Sequence, residues 1–305
     1  MSGCRLYHEK EAKQMKKRNF LCLLLIALCI GAFVGYRALD RIWSDHRAPE
    51  IQVPEGMPLI VSVQDSRELL LTGLTATDNR DDDVTDSLIV ESIRLLDAST
   101  GKISVSVAAF DRSGNVAKAV REATYSDYES PRFSLSQALV YTQGISFDPL
   151  NAVVARDDLD GNITYRVRAT AMDNTSISAV GIHNVRFRVS NSLGDTVEME
   201  LPVEVLAPNE YNANLELKNY LVYLKKGDQF SERQYLDTFQ YGTTSVELNG
   251  SLPGNFYLKT FGVVNTNVPG VYTLSYKLTY DRAAALGYNA EACVAYSKII
   301  VVVEE

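Results

Sequence analysis

The stretch VVARDDLDGNIT, residues 153–164, brings Asp157, Asp158 and Asp160 into four positions before Gly161 and Asn162. An earlier stretch, DNRDDDVTD at 78–86, is denser, with Asp78, Asp81, Asp82, Asp83 and Asp86. Carboxylates so close together can do three things. They can shape a turn, because Asp and Asn bond their own backbone and tolerate left-handed φ, which Gly161 adopts freely. They can hold calcium, which takes six to eight oxygens from carboxylates and carbonyls. They can also form an acid/base pair, but a glycosidase needs two carboxyls facing each other across a cleft, and adjacent turn aspartates do not provide one. The strict calcium-loop spacing D-x-D-x-D-G is absent; Asp158-Leu159-Asp160-Gly161 is a fragment of it. The calcium candidates are therefore Asp78, Asp81, Asp82 and Asp83, with Asp157, Asp158 and Asp160 second, and the role would be structural.

Other reactive sets are thin. The three histidines, His8, His46 and His183, are scattered, and no H-E-x-x-H, Ser-His-Asp set or glycine-rich phosphate loop occurs. Of the four cysteines only Cys293 lies beyond residue 29, which leaves no intrachain disulfide for the rest of the chain. Asn162, Asn174 and Asn249 stand in N-x-[ST] triplets that occur readily by chance. No catalytic or cofactor-binding residue is assigned, and the chain reads as a non-enzyme.

Net charge is −8 over 305 residues, which argues against a nucleic-acid partner. Residues 1–19 carry six cations against two glutamates, a net +4, leaving −12 for the remainder. The basic stretch runs into FLCLLLIALCIGAFVGY, 20–36, which has no charge and suffices, with Ala38 and Leu39, to cross a hydrocarbon core of roughly 30 Å. The cation excess upstream places the N-terminus in the cytoplasm. A cleaved signal peptide competes with this reading, but no small-x-small cleavage pattern follows. The expectation is a single-pass plasma-membrane protein with a basic tail at 1–19, a transmembrane helix at 20–39 and a juxtamembrane linker at 40–48. Its C-terminal domains would be extracellular.

Beyond residue 48 the pattern is strand-like. GKISVSVAAFD, TVEMELPVEV and VYTLSYKLTY alternate apolar and polar residues with period two. Helical spacing is confined to Ser231–Phe239 and Arg282–Leu286. Gly101, Gly181 and Gly270 each open a long alternating strand, and each strand closes in a polar turn. Short strands with regular turns predict sandwiches. The units are expected at 49–128, 129–206 and 207–305, joined by the short proline-bearing linkers SDYESP and APNEYN into a semi-rigid rod.

QGISFDPLNAVVARDDLDGNIT, KGDQF, VNTNVPGVYTLSYKLTY and AFDRSGNVA together resemble the immunoglobulin-like repeats of Gram-positive surface proteins, found also beside a pesticidal crystal toxin. They are similar to hyaline-repeat domains as well. The family pattern is G-x-x-F-D, D-G-D-I-T, P-G-x-Y-x-V-x-Y and D-x-x-G-N. The second unit matches its first two marks, and the third keeps Pro269-Gly270-Val271-Tyr272 but lacks the acidic turn. The resemblance covers 49–305 and implies an all-β fold of three tandem immunoglobulin-like β-sandwiches, surface exposure and no catalysis.

The third unit holds eleven of the seventeen tyrosines. Exposed aromatics mark protein or sugar surfaces, whereas buried ones fill sandwich cores. Tyr220, Tyr223, Tyr241 and Tyr257 are the ligand-binding candidates. The expected work is spacing, adhesion or recognition of a protein partner at a bacterial envelope. A carbohydrate-binding module acting through those tyrosines, and an accessory module of an enzyme or toxin on another chain, are the alternatives.

Overall fold

The computed structural model describes residues 3–43, 45–54, 56, 58–172, 177–208, 211–286 and 291–305. Asn174 and Tyr288 lie outside them. Helix α1 spans Gly3–Trp43. Its portion Lys17–Asp40 has mean hydropathy 2.3, and its side chains are not buried against the rest of the protein. Length and composition suffice to cross a membrane, a property a signal sequence shares.

Among the described residues after α1 the regular elements are strands, with a few short helical turns. The first repeat contains β1 (Glu50–Gln52), β2 (Leu59–Val61), β3 (Thr75–Asp78), β4 (Asp82–Asp83), β5 (Ile89–Asp97), β6 (Lys102–Phe110) and β7 (Val116–Tyr125). The second contains β8 (Arg132–Leu135), β9 (Val140–Thr142), β10 (Val153–Asp157), β11 (Gly161–Asn162), β12 (Arg168–Ala171), β13 (Gly181–Ser190) and β14 (Thr196–Leu206). The third contains β15 (Asn214–Leu217), β16 (Leu221–Lys225), β17 (Leu236–Tyr241), β18 (Thr244–Glu247), β19 (Phe256–Phe261), β20 (Gly270–Tyr280) and β21 (Cys293–Glu304). The sheets repeat one plan three times. The smaller sheets run β1-β3-β4, β8-β10-β11 and β15-β17-β18; the larger run β2-β7-β6-β5, β9-β14-β13-β12 and β16-β21-β20-β19. Within the larger sheets β9 pairs parallel to β14, and β16 parallel to β21.

Alternation explains the layering. In β6 the side chains of Ile103, Val105 and Val107 are fully buried, while Lys102, Ser104 and Ser106 between them are half-buried. In the second repeat Phe133, Leu135, Val153 and Ala155 of the smaller sheet share one core with Val185, Phe187, Val189, Leu201 and Val203 of the larger. In the third, Leu215, Leu217, Leu236 and Phe239 meet Leu274, Tyr276, Leu278, Ile299 and Val301 in the same way. Each such Val, Leu, Ile or Phe side chain contributes about 1.5–3 kcal/mol on removal from water. Gly101 has φ +68°, and a Cβ there would lie 2.3 Å from the Tyr125 carbonyl oxygen, so the turn before β6 admits only glycine.

The expected helix at Ser231–Phe239 is instead a 3-10 turn, Glu232–Tyr235, that feeds directly into β17. Leu236 and Phe239 are buried in sheet geometry, and the bulge between Glu216 and Leu217 accommodates their spacing. Arg282–Leu286 is helical, as its spacing predicts.

The chain divides into two compact units. One comprises Met1–Leu59, Ser66–Ile93 and Ser104–Ala123; the other comprises Ile60–Asp65, Arg94–Ile103 and Thr124–Glu305. Residues 129–206 and 207–305 thus belong to the same unit, and β5, β6 and β7 each pass from one unit to the other.

Candidate functional site

The two acidic stretches form the same corner twice. In the first repeat Asp78 Oδ2 accepts from the backbone N–H groups of Arg80 and Asp81 at 2.8 and 3.1 Å. Asp83 Oδ1 accepts from Thr85 N–H at 2.9 Å, and Thr85 Oγ1 accepts from Ala76 N–H at 3.0 Å. In the second repeat Asp157 Oδ1 accepts from Leu159 and Asp160 N–H, Asn162 Oδ1 from Thr164 N–H, and Thr164 Oγ1 from Ala155 N–H. The third aspartate reaches across to a second turn. Asp81 Oδ2 accepts from Arg112 N–H at 2.8 Å; Asp160 accepts from Ser192 N–H at 2.7 Å and Ser192 Oγ at 2.6 Å, and pairs with Arg166 at 2.7 Å. Burial pushes the Asp160 carboxyl up, but the Ser192 and Arg166 donors outweigh it, so its pKa lies below the ordinary value. These carboxylates mainly shape turns.

The corners differ at one backbone position. Asp82 takes φ +58° where the second repeat places Gly161 at φ +70°. Asp82→Gly is therefore expected to stabilise the protein by about 0.5–1 kcal/mol. Urea unfolding of the full chain checks this; an unchanged or lowered midpoint would show that the Asp82 side chain makes a favourable contact.

Of the first calcium set, Asp78 alone joins a convergent group. Among the described residues, one group of acidic side chains brings its ligand atoms within 4.8 Å of one another: Asp45, Asp78 and Asp111. Asp81 is turned to the Arg112 N–H and Asp83 to the Thr85 N–H, and Asp82 is exposed. Asp158 is exposed too, and the Gln64 amide donates to its carbonyl. Sequence reasoning missed Asp45 and Asp111 as partners of Asp78. Only their placement in a linker and in the later turn D-R-S-G-N was legible.

A second locus lies where the second repeat meets the third, within one compact unit. Lys298 is 2% exposed, yet it sits in an apolar strand. Its Nζ donates to the Pro202 carbonyl at 3.0 Å and pairs with Glu204 Oε2 at 3.2 Å. Tyr296 Oη donates to the same carboxylate, 3.1 and 3.0 Å from its two oxygens. Burial lowers the Lys298 pKa and the Glu204 charge opposes that shift. On the other side of the junction Tyr223 Oη donates to the Phe133 carbonyl at 3.1 Å, and Arg132 lies 5.0 Å over the Tyr223 ring and 3.3 Å from Glu304. Burial pushes the Tyr223 hydroxyl up to about 12. Beside these bonds opens a cleft of about 690 Å³, lined among others by Tyr141, Tyr211, Tyr220, Asp237, Tyr296 and Ser297. Ser297 Oγ is buried there with no hydrogen-bond partner.

The four candidate tyrosines separate. Tyr223 packs on the second repeat's core, and Tyr220 touches both cores while its Oη accepts from Leu217 N–H at 3.2 Å. Tyr241 belongs to an aromatic cluster with Phe239 and Tyr280. Tyr257 is 58% exposed, on the outward side of β19 with Lys259 and Phe261.

Fold and bonding together define a chain of two-sheet, immunoglobulin-like units behind one apolar helix, with polar side chains spent on turns and joints. The chain is 29% identical over 225 residues to the pesticidal crystal protein Cry22Aa of Bacillus thuringiensis, an alignment covering 72% of this chain and 29% of that protein. No family model matches. Among solved structures it is similar to Drosophila N-cadherin EC1-4, at 11% identity and TM-score 0.21, covering 85% of this chain and 76% of that one. It is also similar to a structure of CBM51-2 in complex with GlcNAc and INT domains from Clostridium perfringens ZmpB. That likeness has 12% identity and TM-score 0.21, and covers 84% of this chain and 42% of the other.

Proposed function

We propose that the chain is a non-catalytic cell-surface protein, anchored by residues 20–39 with its N-terminus in the cytoplasm. Immunoglobulin-like units at 49–128, 129–206 and 207–305 would act in spacing and adhesion at a bacterial envelope, through recognition of a protein partner. The observation that carries this reading is the use of the acidic side chains. Asp83 and Asp157 are spent on backbone donors of their own turns, and Asp81 and Asp160 on those of the facing turns, so these four carboxylates serve shape. A second reading, recognition of a glycan, is favoured by the polar, tyrosine-lined cleft and the unpartnered Ser297 hydroxyl.

One experiment separates the readings. Full-length protein in nanodiscs is incubated with washed bacterial envelopes, before and after the envelopes are stripped with protease. The adhesion reading expects saturable binding that protease treatment abolishes. Binding that survives protease and is competed by soluble envelope polysaccharide transfers the function to the glycan reading. No saturable binding to either preparation would overturn both.

A further inference from the structure

Among the side chains that differ between the corners of the first and second repeats, one pair, Asp111 and Asn191, changes the electrostatics around the buried aspartate. In the second repeat Asp157 is buried and keeps Oδ1 for its turn, while its other oxygen accepts from Asn191 Nδ2 at 3.0 Å. Asn191 Nδ2 also donates to Tyr128 Oη at 2.9 Å, and that hydroxyl donates to Asp195 Oδ2 at 2.7 Å. Every group in that corner has a partner of the right kind.

In the first repeat Asp111 stands at the position of Asn191, opening the same turn: Asp111 N–H bonds the Asn115 carbonyl as Asn191 N–H bonds that of Asp195. A carboxylate cannot donate. Asp111 instead accepts from Asn115, at 2.7 Å from the backbone N–H and 2.6 Å from Nδ2. Asp78 therefore loses the donor its counterpart has, and its Oδ1 is buried with no hydrogen-bond partner. A third carboxylate completes the group. Asp45, in the segment between α1 and β1, accepts at Oδ1 from Arg47 N–H at 3.0 Å and leaves Oδ2 buried without a hydrogen bond. Arg80 sets its Nε 3.7 Å from that oxygen, too far for a hydrogen bond, on a side chain that is 46% exposed.

Asp45, Asp78 and Asp111 are 9%, 8% and 8% exposed, with ligand atoms inside 4.8 Å of one another. Burying three like charges at that spacing is costly beyond what the half-exposed Arg80 beside Asp45 offsets, unless a further cation joins them. We propose that Asp45, Asp78 and Asp111 form a calcium site that ties the segment leaving the helix to the first repeat. Calcium suits the donors: all are oxygens, coordination is flexible, and water can complete the shell. The Asp45 carbonyl is already held by Asn115 Nδ2 at 3.2 Å, which fixes the segment near the site. The second repeat, with an amide in place of the third carboxylate, is the metal-free form of the same corner.

The test follows from that comparison. Thermal unfolding of the full chain in detergent is followed in chelator and in about 10 mM calcium, well above the range of extracellular calcium modules. Calcium is expected to raise the midpoint by on the order of 5 °C, and an equal concentration of magnesium by less. Asp111→Asn, which copies the second repeat, is expected to unfold later than the unaltered chain in chelator and to show no calcium shift. Should that variant fail to fold, Asp45→Asn serves, with loss of the shift as the readout. A midpoint of the unaltered chain that calcium leaves unmoved, an equal response to magnesium, or a calcium shift retained in the variant each overturns the proposal.

Discussion

Glu204→Ala is expected to destabilise the protein by about 3–5 kcal/mol, far more than a surface ion pair is worth. The reason lies in what remains. Lys298 stays buried with the Pro202 carbonyl as its acceptor, and Tyr296 Oη loses both oxygens of its carboxylate. The loss therefore measures an uncompensated buried charge and not the net worth of the pair. The double variant Glu204→Leu with Lys298→Met, of similar volume and no charge, should recover most of the stability. Urea unfolding followed by far-ultraviolet circular dichroism reads both. A loss below about 1 kcal/mol in the single variant would mean that water reaches Lys298 and that the joint is not sealed.

Phe239→Ala is the second large effect, a loss of about 3–5 kcal/mol. The ring is fully buried. It lies edge-on to Phe256 at 5.2 Å and to Tyr280 at 6.3 Å, and tilted against Tyr241 at 5.9 Å. Truncation removes the apolar transfer term, leaves a cavity and breaks three ring contacts. The expected signature is a lower unfolding midpoint together with weakened near-ultraviolet tyrosine ellipticity. Intact ellipticity with a loss under about 1.5 kcal/mol would show that the cluster collapses into the gap.

These two sites show where the sequence was readable and where it was not. Period-two alternation marked β6, β14 and β20 because one face of each is more deeply buried than the other. The acidic turns were readable because an Asx turn is local: Asp157 and its donors lie within three residues. Long-range pairing left no such trace. Lys298 bonds residues 94 and 96 positions away, and the only hint in the sequence is a cation inside an otherwise apolar run. Ser231–Phe239 misleads for a related reason. Its helical spacing is real, but Leu236 and Phe239 gain more by entering a sheet beside Leu215 than a short isolated helix could offer. The tyrosine excess was visible and its use was not, since Tyr223 and Tyr257 look alike in sequence and only their surroundings separate them. The convergence of Asp45, Asp78 and Asp111 likewise needed three segments to come together.

The strand order has a consequence for synthesis. In every repeat the strand made last, β7, β14 or β21, is an inner strand of its larger sheet, between the second strand and the sixth. Until it emerges, those two neighbours have nothing to bridge them, and each half-made sandwich stays open along its middle. On a ribosome each larger sheet is therefore bridged only when the final dozen or so residues of its repeat appear. An interruption inside such a strand leaves apolar sheet edges open, and one at residue 207 also strips the second repeat's core of Leu221 and Ile300 and Glu204 of Lys298.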